Sequence, residues 1–159
     1  MKNFSSLGAF ALHLEKLALE APAVVEHVTD ASAAEIQATA RGMIGDYQQA
    51  VGPYPAWEEL ADSTKAERSY LGYSENDPGY RSGKMQRSIT RSVEGSEAVV
   101  GSNDPHLVWF DMGTPTQPPR PVLGPAAIHS EPRVRKIIGT TTFAWLAGRG
   151  WLRPRLKSS

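Results

Sequence analysis

The residues of this chain whose types could support catalysis or metal binding are four histidines and one acidic cluster. The histidines lie far apart, and none has a metal-ligand spacing such as His-Glu-x-x-His. On a helix, Glu58 and Asp62 would lie one turn apart and could bind a cation, although the helix dipole alone favours acidic residues near a helix start. Neither pattern indicates catalysis, so we expect no enzymatic activity, no metal and no cofactor. The histidines are His13, His27, His106 and His129, and the acidic cluster is Glu58, Glu59 and Asp62.

The composition of the chain excludes several classes of protein. There is no cysteine, which removes disulfide scaffolds, thiolate zinc sites and cysteine nucleophiles. There is also no phosphate-binding glycine loop and no Gly-x-Ser-x-Gly elbow. With 159 residues and 40% hydrophobic content, residues 1–159 fit one globular domain. No apolar run reaches the roughly 18 residues of a membrane span and the N-terminus lacks a secretory pattern, so we expect no membrane association.

Two clusters of basic side chains could bind nucleic acid, because such clusters neutralise phosphates. No helix-turn-helix, zinc-finger or RNA-recognition motif accompanies them, and the isoelectric point is about 6.9. A solvated basic surface is the favoured interpretation, and contact with nucleic acid is the alternative. The first cluster is Arg81, Lys84, Arg87 and Arg91, and the second is Arg133, Arg135 and Lys136.

The formal net charge of zero hides a division between the two halves of the chain. Residues 1–80 carry 5 basic against 12 acidic side chains, a net charge of −7, and residues 81–159 carry 12 against 5, a net charge of +7. The halves could fold together and neutralise each other, or identical subunits could meet with an acidic face against a basic face. A third interpretation is that the basic half contacts nucleic acid.

Apolar residues at alternating steps of three and four predict a long helical segment over residues 1–50. Pro22 lies inside this pattern and predicts a kink or break near residues 20–22, and the pattern changes phase again near residues 29–32. The stripe can form part of the core or pack against a partner subunit. Its members are Leu7, Phe10, Leu14, Leu17, Ala21, Val24 and Val28.

The middle of the chain predicts one short helix and a β-hairpin. We expect a helix over residues 56–65, then a loop over residues 72–80. Period-two alternation predicts strands over residues 88–93 and 97–100, joined by the two-residue link Gly95-Ser96 that suits a tight hairpin. The apolar run 106–110 fits either type of element.

Prolines dominate the segment from Gly113 to Pro125, which therefore cannot form a helix or a central strand. A stiff, extended segment of this kind suits either a contact between subunits or a rigid connection within one subunit. A last helix is predicted over residues 126–147, interrupted near Pro132, followed by a basic tail over residues 148–159.

Five short motifs, in order along residues 57–126, resemble those of the tailed-phage neck and tail-completion proteins, also called virion morphogenesis or head-tail joining proteins. Residues 57–64 are similar to the family's W-x-x-L-A-x-x-T helix, and residues 82–89 to its T-G-x-L-x-x-S-I segment. The other three resemble a strand ending in V-G-S/T-N, an apolar run closing in E-F-G-T, and the helix entry P-R-P-F-L-x-P-A. In this chain the five read WEELADST, SGKMQRSI, VVGSN, VWFDMGT and PRPVLGPA.

The resemblance implies an α+β subunit, with a small twisted antiparallel sheet, a long N-terminal helical segment and a C-terminal helix packed on the sheet. Residues 56–147 would form this core. The resemblance also implies a structural subunit of a head–tail connector or neck ring, most simply a hexamer, that joins the DNA-filled head to the tail. Its partners would be other copies, the neighbouring connector or stopper, and tail terminator or tail-tube proteins. Genomic DNA would pass through the ring without sequence-specific contacts, and the subunit, assembled in the host cytoplasm, would end in the virion.

Candidate binding residues follow from the proline segment and the motifs around it. Arg120, with Asp111 as its ionic partner, is the first candidate for contacts between subunits. A row of basic side chains is the candidate for DNA contacts, and the alternative function is a DNA-binding accessory protein that uses its basic C-terminal half. The further interface candidates are Pro118, Pro119, Pro121, Leu123, Trp57 and Trp109, and the DNA-facing candidates are Arg81, Lys84, Arg87 and Arg91.

Overall fold

Two long antiparallel helices form the frame of the structure, a computed structural model that describes residues 3–151. Their direction follows from the contacts between them, because Ser130 donates to Thr39 at 2.9 Å near one end and His13 lies 3.2 Å from the carbonyl of Leu146 near the other. Together with a two-stranded antiparallel sheet they give the predicted α+β fold. The elements are α1 (Leu7–Met43), α2 (Asp62–Tyr70), α3 (Lys84–Ser88), β1 (Thr90–Glu94), β2 (Glu97–Gly101), α4 (Pro105–Met112) and α5 (Leu123–Leu146).

Both long helices run through a proline without a break. The predicted phase change at residues 29–32 and the interruption near Pro132 are therefore wrong, and of the kink or break predicted near Pro22 the break is wrong. Each proline is exposed and lies on the side of its helix that faces away from the other helix. Packing along the opposite side keeps each helix continuous although each proline removes one intrahelical hydrogen bond.

The core lies at one end of the helix pair, where α1 ends and α5 begins. Ala40 and Met43 of α1 and Ala126 of α5 pack there with Ile89 and the α4 side chains Leu107 and Phe110. The other ends of the helices extend beyond this core. We call this extension, residues 7–30 of α1 with residues 134–146 of α5, the two-helix arm.

The hairpin of β1 and β2 packs on α1. Its register pairs Thr90 with Gly101 and Glu94 with Glu97, which confirms the predicted Gly95-Ser96 link, and Gly95 has the positive φ of 58° that the tight turn needs. The first strand begins at Thr90 and not at residue 88, because residues 84–88 form α3. Between them the carbonyl of Ile89 accepts hydrogen bonds from Gln37 at 2.9 Å and from Nη2 of Arg41 at 2.7 Å, which fixes the start of the hairpin against α1.

The helix predicted over residues 56–65 is wrong in its first half. Residues 56–61 belong to no helix or strand, and α2 begins only at Asp62. In this segment Trp57 is buried in the core, where its N–H donates to Gln48 and its indole donates to Pro121. The undetermined run 106–110 is helical within α4. The last helix begins at Leu123, so Pro125 lies in its first turn, where a proline removes no intrahelical hydrogen bond.

Within residues 3–151, three ion pairs connect the acidic half of the chain with the basic half. Asp30 pairs with Arg91 at 2.9 Å, Glu67 with Arg81 at 3.4 Å, and Glu35 with Arg133. Neutralisation within the folded chain therefore accounts for part of the charge division. Within residues 3–151 no helix is long and apolar enough to cross a membrane. The predicted basic tail lies, from residue 152 onward, outside the described residues.

Candidate functional site

A cleft of about 840 Å³ gathers five of the predicted site residues. It lies between the segment that leads into α2, the loop before α3, the outer side of α4 and the proline segment. The prediction that the proline segment borders a binding surface is consistent with this position. The predicted residues that line the cleft are Arg81, Lys84, Trp109, Pro118 and Arg120.

Arg120 lies in the wall of the cleft but is only 3% exposed. Its guanidinium donates to the carbonyl of Glu58 through Nε at 3.1 Å and Nη2 at 2.9 Å, and to the carbonyl of Glu59 at 3.1 Å. Burial lowers the pKa of Arg120 from its ordinary value, and the group stays charged near neutral pH. Arg120 therefore holds the extended segment before α2 in place, which is a structural task that its sequence position did not reveal.

Asp111 binds the start of α5 and not Arg120. Its Oδ1 accepts from the backbone N–H of Val122 at 2.6 Å and of Leu123 at 3.1 Å. The predicted ionic pair between Asp111 and Arg120 is therefore wrong within the chain: each side chain has other partners. Asp111 instead supplies the capping acceptor for α5, whose own flanking residue Val122 offers none.

Trp57, Pro121 and Leu123 belong to the interior. The indole of Trp57 donates to the carbonyl of Pro121 at 2.9 Å and meets the ring of Phe110 edge-on at 5.2 Å. Leu123 packs against the same core. Pro119 is exposed and Pro118 half-buried, so of the proline candidates these two face outward. The segment from Pro119 to Ala126, which resembles the family's helix entry, thus serves mainly to close the core.

The other charged groups of the cleft leave it with more cationic than anionic character. Arg68 is 3% exposed and donates to three loop carbonyls, those of Ser74, Asp77 and Tyr80, and Lys84 has no ion pair within residues 3–151. At the rim, the pKa of the Asp104 carboxyl is lowered because it accepts from the ring and the backbone N–H of His106. Sequence reasoning missed Arg68. The only sequence signal for its role is its position beside a turn-rich loop.

Three members of the basic row predicted to face DNA have partners within the chain. Arg81 pairs with Glu67, and Arg87 donates back to the carbonyl of Ser82 at 3.0 Å. Arg91 turns to α1, where it binds Asp30 and donates to Gln37 at 2.7 Å. Lys84 alone of the four lines the cleft without an ion pair in the described part of the chain.

The two-helix arm exposes an unusual number of large apolar side chains. Leu17, Val24 and Val28 of the predicted stripe are at least partly covered, whereas Leu7 is 83% exposed and Leu14 is exposed as well. Exposed apolar surface of this kind is typical of sites where proteins pack against each other. The exposed side chains of the arm include Leu7, Leu12, Leu14, Leu19, Val25, Ile138, Phe143 and Leu146.

The arrangement suits binding between macromolecules. A concave surface with charged side chains of both signs and the aromatic ring of Trp109 lies at the core end, and an apolar surface lies on the arm. In the part of the chain from residue 3 to residue 151, no group of three or more His, Cys, Asp or Glu side chains could hold a metal ion. No known protein family, no curated protein and no solved structure matches this chain.

Proposed function

We propose that the protein is a structural subunit of a tailed-phage head–tail connector, a neck or tail-completion ring. The observation that carries the proposal is that the five family-like motifs meet in one core, although they are spread over residues 57–126. Each motif contributes at least one side chain to that core or packs against it. These side chains are Trp57, Ile89, Val100, Phe110, Val122 and Ala126.

The exposed surfaces support an assembly role. A subunit of a ring needs one surface for each neighbour, and those surfaces are exposed in the single chain. The arm and the cleft lie at different ends of this subunit and differ in character, because charged side chains line the cleft beside apolar ones whereas the arm exposes mainly apolar side chains. The proposed partners are further copies in a ring, with a hexamer expected, and the adjoining connector, stopper, terminator or tail-tube proteins. The protein would reside in the neck or tail of the virion, around the DNA channel.

The exposed basic side chains of α5 favour one second candidate, a DNA-binding accessory protein. The side chains of Arg133 and Arg135 are 56% and 77% exposed, and Lys136 follows them on the same helix. Each is placed to reach phosphates, although the first two also pair with Glu35 and Glu131. Binding of this kind is electrostatic, so its affinity for duplex DNA would fall steeply with salt.

The experiment that tests the proposed function is the mass of the purified protein in solution, alone and with the other neck and tail components. A closed ring, or a fixed number of copies in head or tail complexes, is the expected result. A chain that remains outside every particle when those components are present would contradict the proposal. Steep, salt-dependent binding to duplex DNA in that case would favour the second candidate.

A further inference from the structure

An apolar groove of about 270 Å³ lies where α1, β2 and α5 meet. Within it the hydroxyl oxygen of Ser32 is shielded from solvent and has no hydrogen-bond partner among residues 3–151. An empty apolar groove forfeits packing, and a shielded hydroxyl without a partner costs free energy. The empty apolar groove points to a second molecule that fills it. Its lining includes Val28, Ile36, Val100, Val134 and Ile138.

The surface of α1 beside this groove is apolar with an acidic border. Leu14, Ala18 and Val25 recur at steps of four and seven, are all exposed, and continue the groove toward the N-terminus of the helix. Glu26 stands next to this stripe, is exposed, and has no ion pair in the described part of the chain. The partner that covers the stripe should therefore present apolar side chains together with a cation.

The outer side of α5 has that complementary character. Thr141 is buried toward α1, and Phe143, two residues later, lies about 200° further around the helix. Phe143 is accordingly 66% exposed and points away from the groove of its own chain. Lys136 lies two turns before Phe143 on the same outer side, is exposed, and has no ion pair within residues 3–151.

We propose that the groove of one copy binds the outer side of α5 of a second copy, with Phe143 of that copy in the groove and its Lys136 opposite Glu26. The spacing supports this pairing. Lys136 and Phe143 are seven residues apart, which is about 10 Å along a helix. Glu26 and the groove residue Ala33 are also seven residues apart. Both contacts therefore form together when the second copy's α5 runs parallel to α1.

The two surfaces are different, so each copy keeps one of them free for the next neighbour. A contact of this type is heterologous and continues until the copies close into a ring or extend as a filament. The inference thus names the contact between subunits, and it rests on the proposed function only for the closure into a ring. It also gives the acidic and basic halves of the chain a second use beyond neutralisation within one copy.

Charge reversal tests the contact. Sedimentation velocity would compare the wild type with Glu26→Lys, Lys136→Glu, the double variant and an equal mixture of the two single variants. Glu75→Lys, an exposed loop change of the same charge, is the matched control. We expect each single variant to associate at least about tenfold more weakly, because like charges then meet. The double variant and the mixture should recover association, since both restore opposite charges, and the control should equal the wild type.

Recovery of association in the double variant distinguishes a lost contact from misfolding, because a second charge reversal does not repair a misfolded chain. Phe143→Ser should weaken association while leaving the far-UV circular dichroism of the exposed helix unchanged. A wild type that stays monomeric at all concentrations, single variants that associate normally, or a double variant without recovery would each overturn the inference. If both single variants enter phage particles as the wild type does, the inference fails and the proposed function stands. If the contact forms in solution but the protein enters no particle, the proposed function fails and the inference stands.

Discussion

Substitution of Asp111 tests whether its carboxylate holds the start of α5 against the core. It accepts hydrogen bonds from the N–H groups of Val122 and Leu123, the residues at which α5 begins, and no side chain of α5's own flanking residue does so. Val122 is fully buried, so its N–H cannot turn to water when the carboxylate is lost. We therefore expect the loss of this one acceptor to lower the free energy of unfolding strongly, although the side chain is short.

The magnitude follows from the groups that remain unpaired in Asp111→Ala. A buried N–H without a partner costs about 1–3 kcal/mol. Loss of an anion at the start of a helix adds about 0.5 kcal/mol. The N–H of Leu123, which is only half-buried, can be hydrated in part. We expect the free energy of unfolding to fall by about 3 kcal/mol in Asp111→Ala. In Asp111→Asn, which keeps an acceptor oxygen, it should fall by about 1 kcal/mol.

The assay is urea unfolding at neutral pH, followed by tryptophan fluorescence. Asp46→Ala serves as the control, because Asp46 is exposed and its side chain makes no hydrogen bond in the described part of the chain. Its effect should stay within about 0.5 kcal/mol, as for most surface changes. The reasoning is refuted if Asp111→Ala is equally mild, or if Asp111→Asn costs as much as Asp111→Ala.

Three further predictions concern single side chains. Trp57→Phe keeps the aromatic contact but loses the buried hydrogen bond to Pro121, so unfolding by urea should show a loss of about 2 kcal/mol; an equal effect from Trp109→Phe at the exposed rim would contradict this. Gly113→Ala should cost at least about 2 kcal/mol in the same assay, because φ is 79° and the added Cβ would lie 2.8 Å from the backbone nitrogen of Pro119. The control Gly42→Ala, in α1 with open space around it, should instead stabilise. Because the pKa of Asp104 is lowered in the folded chain, its contribution to stability is present above its ordinary pKa and is lost as the pH falls through the folded value. Asp104→Asn should therefore flatten the acid side of a plot of unfolding free energy against pH, and an unchanged acid side would show that the hydrogen bonds with His106 do not contribute.

Sequence patterns predicted correctly those elements that depend only on neighbouring residues. The Gly95-Ser96 link was predictable, because a two-residue turn depends on the few residues that flank it. The long helices were predictable from apolar spacing, but not their continuity. A proline destabilises a helix little where its side of the helix is open to water. Which side is open depends on where the partner helix packs.

The candidate site was only partly predictable, because its geometry depends on contacts distant in sequence. The motifs drew attention to Arg120 and Asp111 as contact residues, whereas the structure gives both a place inside the chain. Each of these two residues satisfies backbone groups on another segment, the carbonyls before α2 and the N–H groups of α5, and so they do not pair with each other. Residues 56–61 were misassigned for the same reason, since the indole of Trp57 is held by a hydrogen bond to Pro121. Periodicity cannot encode a requirement that arises 64 residues away.

The sparse burial of the two-helix arm has a consequence for hydrogen exchange. Between residues 7 and 32 of α1, Val24 is the only buried side chain, so the arm should open at a much lower free energy than the core around Ile89. Amides of the arm should then exchange through this local opening, while those near Ile89 exchange only when the whole chain unfolds. Any partner that covers the arm adds its binding free energy to the opening. Slowed exchange confined to these amides would therefore report assembly residue by residue, without a measurement of particle size.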